Sequence, residues 1–176
     1  DVHGIPVFMF MLIGMIGIQS FLQPFSKVAT AFVKNKPLYA FRQVQPISGL
    51  LVLAFVEYTV KVIVVILSLL TVYLMEVDLE IHDPLLLILL FHLLWLMTIS
   101  MSCLLGIASS YVPEVKKVVG LLTRPLFFIS CVFFSLQDIP KQYWHWLDWN
   151  PLAHFIELAR YACYESYGSY GVSLQY

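Results

Sequence analysis

The chain has 176 residues, of which 60% are hydrophobic and 12% charged, with a formal net charge of −1. That balance excludes an ordinary soluble domain, and near-neutrality argues against a nucleic-acid binder. The length leaves room for about four or five membrane spans and no sizeable soluble domain beside them.

The first apolar stretch predicts a span over residues 5–25. Gly14 and Gly17 allow close helix approach on one face, and Gln19 and Gln23 mark a polar stripe. Residues 26–47 follow as a connection holding Lys27, Lys34, Lys36 and Arg42 and no acid. Its first part, from Ser26 to Lys36, has an apolar face suited to a short amphipathic helix, and prolines punctuate the rest. A second span is predicted over 49–75, about 40 Å of helix, longer than the hydrocarbon core of about 30 Å and therefore tilted or projecting. The next connection holds Glu76, Asp78, Glu80 and Asp83 and no Lys or Arg. Asp83-Pro84 is an N-cap followed by a first-turn proline, and it opens a third span over 84–108. Lys116, Lys117 and Arg124 then stand against the single Glu114, before a fourth span over 118–136 interrupted at Arg124-Pro125.

Lys and Arg near span ends stay on the cytoplasmic side, so the alternation of loop charge predicts a chain that starts and finishes outside. Residues 138–163 then form an outer segment. It carries the interfacial aromatics Tyr143, Trp144, Trp146 and Trp149, and Asn150-Pro151 repeats the cap-and-proline signal. The helix launched there reaches about 20 Å, too short to span, and reads as one arm of a re-entrant or interfacial hairpin. The fold class is thus an all-α membrane protein, a polytopic bundle of four spans plus an outer re-entrant helical hairpin.

Few residues offer chemistry. Glu57 and Lys61 lie one turn apart inside the second span, where an unpaired charge costs about 2.5–3.5 kcal/mol. They pair with each other at i and i+4, or they face a pore. His154, Glu157 and Arg160 form a polar stripe on the outer helix, a mutual ion-pair network or the lining of an exit. Arg124 snorkels to the inner interface in its simplest reading, and the outer aromatics form an interfacial belt. Cys103, Cys131 and Cys163 read as small hydrophobes, with neither a disulfide nor a metal site expected. The sequence contains no phosphate-cradling G-x-x-x-x-G-K-[ST] loop, no H-E-x-x-H helix and no G-x-S-x-G elbow, so no catalytic residue is assigned.

The run VVGLLTRPLFFISCVFFSLQDIPKQYWHWLDWNPLAHFIELAR, with PVFMFMLIGMIGIQSF, VKNKPLYAFRQVQPI and YVPEVKKVVGLL upstream, resembles the membrane subunit of capsule polysaccharide exporters, the type-2 class of ATP-binding-cassette permeases. The resemblance covers nearly the whole chain. It implies a piece of a six-span permease, spans two to five plus the outer segment, in the bacterial inner membrane. Lys61 departs from it, because an apolar residue is expected there. The resemblance further implies a second copy of the chain, separate ATPase subunits carrying the ATP and magnesium, periplasmic and outer-membrane export components, and a lipid-linked polysaccharide as cargo. No cofactor is expected on this chain. Segment 26–47, with Phe32, Lys34, Lys36, Tyr39 and Arg42, would dock in a groove of the ATPase. Arg124 would meet an anionic polymer or its lipid carrier at the inner mouth, and the outer aromatics would stack on sugar rings. Other type-2 exporters (of O-antigen, teichoic acid or a drug) and an ion-coupled carrier using Glu57, Lys61 and His92 remain as alternatives.

Overall fold

In a computed structural model of the protein, the structure describes residues 3–35, 37, 45–77, 81–144, 149–164 and 167, without the side chains at 32, 33, 46, 116, 137 and 141. Every regular element among them is helical: α1 (Val7–Lys34), α2 (Pro46–Leu74), α3 (Pro84–Tyr111), α4 (Val115–Ile129) and α5 (Pro151–Cys163), with short 3-10 turns at Leu136–Asp138 and Lys141–Tyr143. Three stretches are long and apolar enough to cross a bilayer: Val7–Ala31, Ile47–Leu74 and Pro84–Tyr111. At 15 residues, α4 is not one of them. It stops at Ile129 rather than running to Leu136, and the turn that follows is entered by Cys131 at φ 56°. Pro125 sits inside α4 without ending it.

The amphipathic piece after Ser26 is not a separate helix. It is the C-terminal end of α1, which runs through Pro24 to Lys34. A proline interrupts only one i to i−4 bond, and in lipid the flanking backbone has no water to turn to, so the helix persists.

The organising helix is α1, which packs against each of the other four. Its Ile18, Phe21 and Phe25 meet Leu94 of α3, Val119 of α4, and Leu152 and Ile156 of α5 in one core cluster. Toward α3 the contact is made by small residues. Thr98, Ser102, Gly106 and Ser109 recur along its buried face, and Gly106 comes within Cβ contact distance of the α1 backbone at Val28 and Ala29. Such residues let two backbones approach in a medium without a hydrophobic driving force between helices. Their hydroxyls are satisfied locally, Thr98 donating to the Leu94 carbonyl at 2.7 Å and Ser102 to the Thr98 carbonyl at 2.6 Å.

Both expected caps form. Asp83 accepts from the Leu86 N–H and the Asn150 side chain from the Leu152 N–H, each at 3.1 Å. Together with the proline at the first position, each cap fixes where its helix starts.

Candidate functional site

Two buried polar assemblies stand out. The first joins α5 to α1 and to the turn after α4. Gly14 and Gly17 of α1 both face α5: a Cβ at 14 would lie 3.0 Å from the Arg160 guanidinium and from the Val132 carbonyl, and one at 17 would press on Ile156 and Phe155. The two glycines therefore let α5 dock against α1. Arg160 is 0% exposed and Glu157 2%. Arg160 Nη1 bonds Glu157 Oε1 at 3.1 Å, Nη2 donates to the Val132 carbonyl at 2.9 Å and to the Phe10 carbonyl at 3.4 Å. The guanidinium carbon lies 3.5 Å over the Phe10 ring. Glu157 Oε1 also accepts from the Leu136 N–H at 3.1 Å, and Oε2 accepts from the Tyr167 hydroxyl at 2.6 Å.

Burial first, and then the Glu157 carboxylate, push the Tyr167 phenol up from its usual range. It therefore stays protonated and donates to Glu157, which leaves Ser135 as the donor to the Tyr167 oxygen. Of the two readings of the stripe, the structure builds the ion-pair network, sealed inside the protein. His154 is buried beside it. Sequence reasoning missed Tyr167 and Ser135, for which the sequence carries no local signal.

The second assembly corrects the Glu57–Lys61 pairing. Lys27 of α1 bonds Glu57 Oε1 at 2.7 Å, and Lys61 bonds Gln23 Oε1 at 2.6 Å, while Gln23 Nε2 donates to Gln19 Oε1 at 2.6 Å. Glu57 is 5% and Lys61 6% exposed. Each charge reaches across to α1, where Gln19, Gln23 and Lys27 recur every four residues along one side of the helix. On α3, His92 Nδ1 bonds the Ile88 carbonyl at 2.7 Å, and its Nε2 lies 2.9 Å from the Tyr58 hydroxyl. A carbonyl only accepts, so in the neutral ring Nε2 is the acceptor from Tyr58. Among the described residues no hydrogen bond links this pair to Glu57 or Lys61.

The remaining candidates separate. Arg124 is exposed on α4 and has no hydrogen bond or ion pair among the described residues. Tyr143 and Trp149 present exposed rings, whereas Trp144 packs on Cys131, Leu136 and Ala153 and donates to the Ile139 carbonyl at 2.9 Å. Trp144 is thus a structural anchor. Lys34 is exposed in the last turn of α1, where its charge suits the helix dipole. The Phe32 side chain, Lys36, Tyr39, Arg42 and Trp146 lie outside the described residues.

Long apolar helices whose two buried charges, Glu57 and Lys61, find polar partners on a neighbouring helix define a helical integral membrane protein. The chain belongs to the ABC-2 type transporter family, whose sequence profile matches residues 2–164. It is similar to two Escherichia coli proteins, both named polysialic acid transport protein KpsM, with 38% identity over 167 residues in each case. Each alignment covers 95% of this chain and 65% of the relative, so the chain spans about two thirds of the length of the relatives it matches.

Proposed function

We propose that this chain is permease sequence of an ATP-driven exporter that moves lipid-linked capsular polysaccharide across the bacterial inner membrane. The observation that carries this reading is the 38% identity, sustained over 95% of the chain, to a protein named for polysialic acid transport. ATP hydrolysis belongs to a separate nucleotide-binding subunit, since the sequence has no phosphate-binding loop of its own. Two copies of the permease form the path, and residues 26–47 receive the stroke of the ATPase. Phe32, Lys34, Lys36, Tyr39 and Arg42 have the aromatic and basic character that suits docking in a groove. Arg124, exposed on α4, attracts an anionic chain or its carrier, and Tyr143 and Trp149 offer exposed rings to sugars on the outer side.

The test is deletion of the gene in its own host. Loss of surface capsule with polymer accumulating inside the cell is the expected result, reversed by the intact gene. Normal capsule with loss of another exported glycolipid or of drug resistance would reassign the cargo within the family. Transport driven by a proton gradient in vesicles stripped of ATPase would overturn the ATP-driven reading.

A further inference from the structure

The polar groups between α1 and α2 form a ladder with a constant step. Residues 19, 23 and 27 recur every four positions on α1, and 57 and 61 do so on α2. The helices run in opposite directions, so Lys27 stands opposite Glu57 and Gln23 opposite Lys61. One α1 rung, Gln19, has no polar α2 group opposite it and, among the described residues, is bonded by Gln23. On the other side Glu57 Oε2 is buried without a hydrogen-bond partner. The ladder is therefore longer on α1 than on α2, with an unused acceptor on α2.

We propose that α1 and α2 have two registers one helical turn apart, and that this ladder is the track between them. Sliding α2 outward along α1 by one turn, about 5 Å, brings Glu57 to Gln23 and Lys61 to Gln19. Both α2 charges keep a partner, and Lys27, whose side chain is already 55% exposed, is released to the inner interface. The opposite slide sets Lys61 against Lys27 and carries Glu57 to the level of Ala31, so like charges and an unpaired acid forbid it. The track runs one way.

The two helices pack at both ends of the ladder. Val28, Ala31, Leu50 and Ala54 form one cluster of modest side chains, and Val72 is fully buried in another with Ile5, Met9 and Phe10, so the step must reseat Val72 as well. A one-turn step moves i±4 ridges into the next groove of the same kind. Farther out a cavity of 330 Å³ separates α2 from its neighbours, lined by residues such as Ile16, Ser20, Tyr58, Val62 and Ile66, and its apolar walls leave α2 side chains room to reseat.

Spin-label distances test this in the protein reconstituted in lipid nanodiscs, with Cys103, Cys131 and Cys163 replaced by alanine. Labels at Val7 and Ile47 sit near the outer end of α1 and the inner end of α2; labels at Asn35 and Tyr73 sit at the reverse ends. Gln19→Glu gives Lys61 an acidic partner in the second register. It should add a population about 5 Å shorter for the first pair and about 5 Å longer for the second. Glu57→Gln, which loosens the Lys27 contact, should shift both pairs in the same sense, and Gln19→Leu should abolish the second population. The same single distances in Gln19→Glu and Glu57→Gln as in the unaltered protein would overturn the proposal. So would both pairs lengthening together, which means separation instead of sliding. The readout needs no cargo or nucleotide, so its failure leaves the exporter reading standing and is distinct from a failed capsule test.

Discussion

Arg160 has no access to solvent, and its charge is balanced inside the protein by one carboxylate, two backbone carbonyls within 3.4 Å and an aromatic face. A buried pair of this kind adds little over apolar packing, yet breaking it leaves a charge stranded. Arg160→Met should therefore destabilise the protein by about 3–5 kcal/mol, through the unpaired Glu157. Adding Glu157→Gln should recover part of that loss, because the neutral amide oxygen still accepts from the Leu136 N–H and the amide NH2 can donate to the Tyr167 oxygen. Thermal unfolding in detergent compares the two, and a single variant no less stable than the double one contradicts the account. Asp138 makes the opposite kind of contact, at the surface. The hydrogen bond from His3, at 2.9 Å, and then the Ser135 N–H hold its carboxyl below the ordinary 3.8 against a modest burial penalty. A depressed folded value means that the contact stabilises above about pH 3.8 and fades as pH falls through the lower folded value. The turn at His3 and Gly4 should become sensitive to an acid protease such as pepsin in that window. Asp138→Asn should show the same sensitivity to a neutral protease at pH 7, and unchanged cleavage in that variant would remove His3–Asp138 as the tie.

At the scale of elements, the α1–α3 contact depends on the small-residue face of α3. A Cβ at Gly106 would meet the α1 backbone at 3.6–3.7 Å, ordinary contact, so Gly106→Ala should be tolerated. Gly106→Leu has no such space and should cost about 1–3 kcal/mol by prising the helices apart. Equal unfolding temperatures for alanine and leucine at 106 would show that the helices do not meet there. The four-residue recurrence of small residues from Thr98 to Gly106 is present in the sequence, but only the packing against α1 distinguishes it from the other small residues of an apolar run. The caps at Asp83 and Asn150 were legible, because a cap is a local bond between residues two or three apart. The partners of the α2 charges were not. Glu57 and Lys61 are neighbours in sequence, but the partner of Glu57 lies 30 residues away and that of Lys61 38 residues away. No local pattern reports the register of two helices. On α5 the sequence left a mutual ion-pair network and an exit lining both open, and only the surrounding α1 and post-α4 turn make that face an interior one.

For the whole molecule, the alternation of loop charge demands that the chain change sides between Lys117 and Tyr143. Helix α4 covers about 22 Å of that path, short of the hydrocarbon thickness of about 30 Å. The rest falls to residues 130–135, whose irregular backbone is tolerable at membrane depth only where protein encloses it. The structure meets that condition: Ser130, Cys131, Val132 and Ser135 are buried, the Val132 and Phe134 carbonyls face the Arg160 guanidinium, and the Leu136 N–H bonds Glu157. The buried ion pair thus satisfies backbone that lipid cannot. Lys117 and Tyr143 are both exposed and suited to a reporter thiol. In intact cells a membrane-impermeant maleimide should label Tyr143→Cys from the outside and leave Lys117→Cys untouched, with the reverse in inverted vesicles. Labelling of both from one side would mean that α4 and its turn dip into the membrane and return. The exposed rings of Tyr143 and Trp149 would then share a compartment with the basic turns, and an outward path for a polymer along this bundle would be lost.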